Sequence, residues 1–239
     1  MQEIRYAMVD GEKVPVLISD ENEALQAAKA ARRAIVGLWR EDAQGDEWCV
    51  ADTLIADMEV ADERFLERIA RRRLGLPWDI CETERLTIRE IAERDYEEIV
   101  KNRVDESLDT VENVADYTKR HYEVFEFGFW TVEEKKSGSL VGVVGFRIPQ
   151  DDGIRGVDYY VLSLSDKNSW NDTLEIGYHI FPEYRRKGYA SEACRAVIEY
   201  AREEFGIIRF IARIGKENIV SKKMAESLGF VKAEEDPFD

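Results

Sequence analysis

Cysteine is scarce in this 239-residue chain, and its three cysteines, Cys49, Cys81 and Cys194, lie far apart. An odd number of well-separated cysteines does not match the disulfide framework of a small secreted protein, and no metal-ligand spacing is present. We therefore predict a reduced, cytoplasmic protein without a metal site. The sequence also lacks a signal peptide and any apolar run that approaches the length of a membrane span, so no membrane association is expected.

Positive charge is also in deficit, because 34 Lys and Arg face 50 Asp and Glu and give a net charge of −16. General nucleic-acid binding depends on cations that neutralise phosphates, so this balance argues against a nucleic-acid partner. An acidic surface is compatible with a cationic acceptor, such as an amine or a basic peptide terminus, although it also serves solubility alone. Hydrophobic and charged fractions of 44% and 35% are typical of a soluble globular protein.

One stretch, residues 174–205, organises the rest of the chain. Apolar residues alternate with other residue types from Leu174 to Ile180, which predicts a β-strand that ends before Pro182. From about Ala190 the period changes to four residues, which predicts a helix. The residues of that helical stripe are Ala193, Val197, Ala201 and Phe205.

The turn between this strand and this helix combines cations, a glycine and a helix N-terminus. The first N–H groups of a helix carry a partial positive charge and no intrahelical partner, which suits a phosphate. Gly188 has no Cβ, so a bulky anion can approach its backbone. The turn is therefore predicted to cradle a pyrophosphate group; its residues are Arg185, Arg186, Lys187, Gly188, Tyr189 and Ala190.

Arg185-x-x-Gly188-x-Ala190 matches the (Q/R)-x-x-G-x-(G/A) signature of the GNAT family of N-acetyltransferases. Asn218 and the pair Gly229-Phe230 also stand where that family often has an asparagine and a Gly-Phe pair. The chain most resembles the subgroup of ribosomal-protein N-terminal acetyltransferases, over about residues 81–232. The resemblance implies an α/β fold, with a mixed, mostly antiparallel sheet flanked by helices, and acetyl-coenzyme A as co-substrate.

The resemblance also implies which residues hold the coenzyme. The cradle turn from Arg185 to Ala190 would bind the pyrophosphate. The backbone of His179, Ile180 and Phe181 would bind the pantetheine arm, in a slot opened where this strand splays from the next. Asn218 would contact the coenzyme or a bound water.

Catalysis is expected to need a base and an acid. Glu175 stands where several relatives carry a glutamate that activates the amine through water; it could equally be a structural residue paired with a cation. Relatives often protonate the departing thiolate with a tyrosine, but Ala225 occupies that position here. Ser221, Tyr189 or a water is left for this role, or the thiolate leaves unassisted.

Two domains are predicted, residues 1–79 and 80–239. In the first, strands near 14–19 and 34–39 with helices between and after them indicate a small Rossmann-like βαβ unit, and Asp20 is expected to cap its first helix. This unit weakly resembles a fragment of haloacid-dehalogenase-like domains but has no D-x-D nucleophile motif, so we expect it to be non-catalytic. An unfinished sheet edge at the C-terminus is expected to be completed by this unit or by a second subunit in a homodimer.

The predicted function is acetyl-coenzyme A-dependent transfer to a primary amine, directly in a ternary complex. The acceptor is a protein or peptide N-terminus or a small amine. Two alternatives stay open: a polyamine or antibiotic-type small-amine acetyltransferase, and a non-catalytic acyl-coenzyme A sensor. A long insertion at 149–173 carries Tyr159, Tyr160 and Trp170, which are candidate substrate contacts.

Overall fold

The computed structural model describes residues 1–39, 50–150, 154–164 and 172–234. Cys49 and Trp170 lie outside these ranges. The chain forms two compact units, one of Met1–Trp78 with Lys119–Glu126 and one of Asp79–Thr118 with Phe127–Asp239. A separate role for the first unit stays a prediction.

The first unit is built on a four-stranded sheet with the order β1-β2-β3-β4. Its elements are β1 (Gln2–Val9), β2 (Glu12–Ser19), α1 (Asn22–Ala30), β3 (Ala34–Leu38), β4 (Leu54–Ile55) and α2 (Glu63–Arg73). The parallel pairs β2–β3 and β3–β4 confirm the predicted βαβ arrangement. The sequence analysis missed β1, which forms an antiparallel hairpin with β2 around Asp10 and Gly11 at φ 50° and 89°.

Helix capping in this unit differs from the prediction. Asp62 caps α2 by accepting a hydrogen bond from the Phe65 amide at 2.8 Å. The cap predicted for Asp20 is wrong, because α1 has Glu21 at its N-cap and no side-chain capping bond. Asp20 instead pairs with the N-terminal ammonium of Met1. An ion pair with that ammonium therefore replaces the helix cap.

The second unit contains an eight-stranded sheet with the order β12-β9-β11-β10-β8-β7-β6-β5. Its elements are β5 (Asp79–Glu82), β6 (Leu86–Arg89), α3 (Tyr96–Lys101), α4 (Val111–Val124), β7 (Phe129–Glu134), β8 (Ser139–Arg147), β9 (Val157–Ser163), β10 (Thr173–Ile180), α5 (Tyr189–Phe205), β11 (Arg209–Gly215), α6 (Ile219–Ser227) and β12 (Val231–Lys232).

This sheet has the predicted mixed character, since β10–β11 is parallel and the other described pairs are antiparallel. The strand and helix predicted within 174–205 are confirmed as β10 and α5. The insertion at 149–173 contains β9, which pairs with β11 and with the short edge strand β12.

The two faces of this sheet carry different cores. One face packs against α3 and α4 through Ile99, Leu108, Val114, Phe129 and Val143. The opposite face carries aromatic edge contacts between Trp130, Phe146 and Tyr200, the last of them on α5. Directly opposed residues of an antiparallel pair share a face. The register of β10 with β8 therefore puts His179, opposite Val143, on the α3–α4 face, and Tyr178, opposite Val144, on the α5 face.

No helix within the described ranges combines the length and the apolar character that crossing a membrane requires.

Candidate functional site

Strands β10 and β11 separate part of the way along their length. They are paired only from Thr173 opposite Arg209 to Glu175 opposite Ile211, although β10 continues to Ile180 and β11 to Gly215. On its other edge, β10 stays paired with β8 as far as Ile180. The second half of β10 therefore turns its free edge toward a slot between the two strands.

The amides that face this slot follow from strand alternation. The Phe181 N–H donates to the Val141 carbonyl at 2.9 Å, on the β8 side. Successive residues of a strand direct their N–H groups to opposite sides, so Tyr178 and Ile180 direct theirs toward the slot. Phe181 is fully buried and its amide is occupied, so it offers no donor to a pantetheine arm. Of the strand residues predicted to bind the coenzyme, Ile180 offers a slot-facing amide, and His179 contributes its side chain.

The turn after β10 presents open backbone amides. Arg186 and Gly188 adopt positive φ angles of 62° and 84°, and α5 starts at Tyr189 with Gly188 as its N-cap. Gly188 has no side chain to cap the helix. The Glu192 amide donates a hydrogen bond to the Gly188 carbonyl at the start of the helix. Within the described part of the chain, the amides of residues 186–191 donate to no protein atom. The turn therefore has the open donors that an anion requires.

A cavity of about 560 Å³ extends from this turn along the second half of β10 to the start of α6. Most of the residues that the sequence predicted for coenzyme binding line it: His179, Ile180, Arg185, Arg186, Gly188, Tyr189, Ala190 and Asn218. Ser221, which was predicted as a candidate acid, also lines it. Phe181 and Lys187 do not line it. The Lys187 ammonium lies over the rings of Tyr184 and Tyr189, at 5.0 and 6.0 Å from their centroids.

A second, smaller cavity of about 220 Å³ meets the first between the splayed strands. Its lining includes Asp105, Phe129, Arg147, Glu175 and Arg213. The two cavities share a group of residues that we call the junction: Tyr178, His179, Asn218, Ser221 and Met224. Two reactants that entered from different sides would meet at these side chains.

Glu175 lies in the smaller cavity as the centre of an ion-pair cluster. Its side chain is 2% exposed; Arg147 Nη2 lies 2.6 Å from Oε1, and Arg213 Nη2 lies 3.2 Å from Oε2. Both carboxylate oxygens are thus engaged by guanidinium groups. Glu175 is thus paired with cations, which was the structural alternative to a catalytic role. Its catalytic role stays a prediction.

Ser221 is held at the junction by two hydrogen bonds. Its amide donates to Asn218 Oδ1 at 3.1 Å, so Asn218 is the N-cap of α6. Its Oγ accepts a hydrogen bond from the Tyr178 hydroxyl at 2.8 Å. Burial raises the pKa of Tyr178, although the bond to Ser221 acts in the opposite direction. The sequence analysis missed Tyr178 because its place in the alternating pattern made it look like a core residue.

His179 has one ring nitrogen enclosed by protein. Its Nε2 is buried and has no hydrogen-bond partner among the described residues. Burial lowers the pKa of His179, and the positive charge of Arg185 lowers it further. The imidazole is therefore neutral at pH 7.

Comparisons with known proteins agree with this geometry. The family model described as "Acetyltransferase (GNAT) domain" matches residues 85–231. The Bacillus subtilis protein named uncharacterized N-acetyltransferase YoaA is 26% identical over 165 residues, which are 64% of this chain and 83% of that protein. YdaF of the same organism, provisionally named a ribosomal N-acetyltransferase, is 37% identical over 73 residues, which are 30% of this chain and 39% of that protein.

Among solved structures, one provisionally named GNAT-family acetyltransferase from Bordetella pertussis matches with a TM-score of 0.50. It is 20% identical, and the match covers 66% of this chain and 92% of that one. At this identity the likeness concerns the fold alone.

Proposed function

Because the chain belongs to the acetyltransferase (GNAT) domain family of N-acetyltransferases, we propose that it transfers an acetyl group from acetyl-coenzyme A directly to a primary amine. One observation carries the proposal. The open amides of residues 186–191 adjoin a cavity that meets, at the junction, the smaller cavity between the separated strands β10 and β11. A pyrophosphate requires such amides, and a long flexible arm requires such a slot.

The residues present fit coenzyme A. The amides from Arg186 to Ser191 would hold the pyrophosphate, with charge added by Arg185 and Arg186, and the Ile180 amide would hold the arm. A residue with a side chain at position 188 would have to adopt φ +84°, and its Cβ would lie 3.3 Å from Arg85 Nη2, so this position favours glycine. When bound, the coenzyme supplies an acetyl group activated as a thioester.

The junction residues would complete the reaction. Ser221 Oγ accepts a hydrogen bond from the Tyr178 hydroxyl and keeps its own hydrogen free to donate, so it can protonate a departing thiolate. Glu175 remains the predicted base and would act through a water in the smaller cavity. Transfer is direct, so amine and thioester must be held together.

Two kinds of acceptor are consistent with the smaller cavity. A protein or peptide N-terminus is supported by the similarity to YdaF, and the net charge of −16 favours a cationic acceptor of either kind. A polyamine or antibiotic-type small amine is the alternative. A third candidate is an acyl-coenzyme A sensor, which is favoured by the buried Ala225 at the place of the tyrosine that relatives use as an acid.

Calorimetric titration with acetyl-coenzyme A followed by a thiol-release assay tests the proposal. The assay compares spermidine, a peptide with a free N-terminus and the same peptide with an acetylated N-terminus. Coenzyme binding together with thiol release for either free amine supports the enzyme. The ratio of the thiol-release rates with spermidine and with the free peptide separates the two acceptor classes. Binding without thiol release for any amine supports the sensor, and no binding refutes the proposal.

A further inference from the structure

Arg85, just before strand β6, contacts the cradle turn at two points and the first turn of α5 at a third. Its Nη1 donates to the Lys187 carbonyl at 2.9 Å, and its Nε donates to Glu192 Oε2 at 2.7 Å. Its guanidinium also lies over the Tyr189 ring, 4.8 Å from the centroid. Arg85 does not line the coenzyme cavity. The side chain therefore contacts the turn from outside the cavity.

Glu192 fixes the other end of this contact. The Thr83 hydroxyl donates to its Oε1 at 2.5 Å, and the Arg85 amide donates to the same oxygen at 3.1 Å. Burial acts to raise the pKa of Glu192, but the bonds from Thr83 and Arg85 outweigh it, so the pKa is lowered and the group is ionised at pH 7. The carboxylate and the guanidinium thus form a charged pair that joins 83–85 to the first turn of α5.

The geometry of one peptide unit connects Arg85 to the cavity. The Lys187 carbonyl and the Gly188 N–H belong to the same planar trans peptide, so they point in opposite directions. Arg85 holds the carbonyl on its own side of the turn. The Gly188 amide must then point away from Arg85, and Gly188 lines the cavity.

We propose that Arg85 is a positioning residue, which sets the orientation of the Gly188 amide so that this amide can bind the coenzyme's diphosphate. The identity of the ligand rests on the proposed function. Lysine at position 85 would keep the charge but could not span the carbonyl and the carboxylate with a planar fork.

The test is calorimetric titration of coenzyme A into the whole protein and three variants: Arg85→Gln, Arg85→Lys and the control Arg202→Gln. Arg202 is a matched control because it also pairs with a glutamate of α5 and has a side-chain exposure of 45%, against 43% for Arg85. We expect about tenfold weaker binding for R85Q, the loss of one well-oriented charge-assisted contact. R85K should show an intermediate loss, and R202Q should stay within about twofold of wild type. Equal affinity of wild type and R85Q would overturn the proposal.

A second ligand separates positioning from direct charge. With 3′-dephospho-coenzyme A, which keeps the diphosphate, R85Q should lose the same factor as with coenzyme A. A loss confined to coenzyme A would mean that Arg85 acts on the 3′-phosphate as a charge, and would overturn the positioning role.

A third measurement does not depend on any ligand. In ¹⁵N-resolved NMR spectra of the free protein, R85Q should shift the Gly188 amide signal, and R202Q should not. An unchanged Gly188 signal in R85Q would refute the positioning role of Arg85, even if the protein binds coenzyme A. A wild-type protein that does not bind coenzyme A would instead refute the proposed function. If R85Q does not fold, as judged by circular dichroism, R85K gives the same comparison.

Discussion

The Tyr178 hydroxyl donates a hydrogen bond to Ser221 Oγ over 2.8 Å, and both side chains border both cavities. The two residues come from different elements, β10 and α6, whose N-cap Asn218 fixes the Ser221 backbone. The pair forms a short chain of hydroxyls at the place where a leaving thiolate would need a proton. We propose that this pair supplies the acid, because Ala225 stands at the position of the tyrosine that relatives often use.

Replacing Ser221 with alanine should lower turnover by about 100-fold, the lower range for loss of a general acid. Tyr178→Phe should have a smaller effect in the same direction, because Ser221 would keep its own proton. Coenzyme A affinity should change by less than about threefold in both variants. Thiol-release kinetics and calorimetry measure the two quantities, and unchanged turnover in S221A would remove Ser221 as the acid.

Replacing Gly188 with valine should weaken coenzyme A binding by at least about 100-fold. A β-branched residue at φ +84° is strained and its Cβ would lie 3.3 Å from Arg85 Nη2, so the backbone amides of the turn would have to shift. Gly206→Val is the matched control. Gly206 ends the same helix at φ +67° with nothing within 4 Å of an added Cβ, so this variant should lose stability but keep its affinity. Calorimetry and thermal unfolding separate the two effects, and an unaltered affinity in G188V would refute the cradle.

The strand, the turn and the helix that form the cradle could be predicted because their information is local. A period-two strand, a proline, a glycine and a period-four helix occupy consecutive positions from Leu174 to Phe205, and each constrains the backbone directly. Strand β1 was missed because its large apolar residues, Ile4, Tyr6 and Met8, lie on the exposed face. The inward face combines the half-buried Glu3 and Arg5 with the buried Ala7 and Val9, so its pattern did not indicate a core. The Asp10-Gly11 pair was the available signal for the hairpin.

Long-range side-chain pairing could not be predicted in the same way. Arg147 and Arg213, which surround Glu175, come from two other strands, and Arg85 is about one hundred residues from the turn that it contacts. The same residue types could satisfy many different partners, and the sheet register decides among them. The sequence therefore indicated where Glu175 lies but not which cations hold it.

Glu175→Gln should destabilise the protein by about 3 kcal/mol, because it removes the carboxylate charge beside Arg213, whose side chain is only 5% exposed. Arg147→Gln should cost less than about 1 kcal/mol, since Arg147 is 43% exposed. Denaturant unfolding measures both. If Glu175 is also the base, E175Q at a temperature where it is folded should lose turnover more than coenzyme affinity. Unaltered turnover would leave it a purely structural residue.

His179 should titrate below the ordinary histidine pKa of about 6.5, because burial and Arg185 both disfavour its charged form. As the pH falls from 7 to 5, the unfolded chain takes up this proton before the folded one, so stability should decrease. The sequence has two histidines, so His121→Gln leaves a single imidazole signal for an NMR titration. A midpoint above 7 would contradict the burial argument.

In direct transfer, no residue of the enzyme becomes acetylated. Cys194 lines the smaller cavity and carries a thiol, so it is the nucleophile to test for a covalent acetyl intermediate. Burial raises the pKa of its thiol to about 12. Only about one thiol in 10⁵ is then ionised at pH 7, and the thiolate is the reactive form. Incubation with acetyl-coenzyme A without an amine should leave the intact mass unchanged. Cys194→Ala should keep wild-type turnover within about threefold, because Ala fills a helical position well. An acetyl adduct that is present in wild type and absent in C194A would show a covalent intermediate and contradict direct transfer.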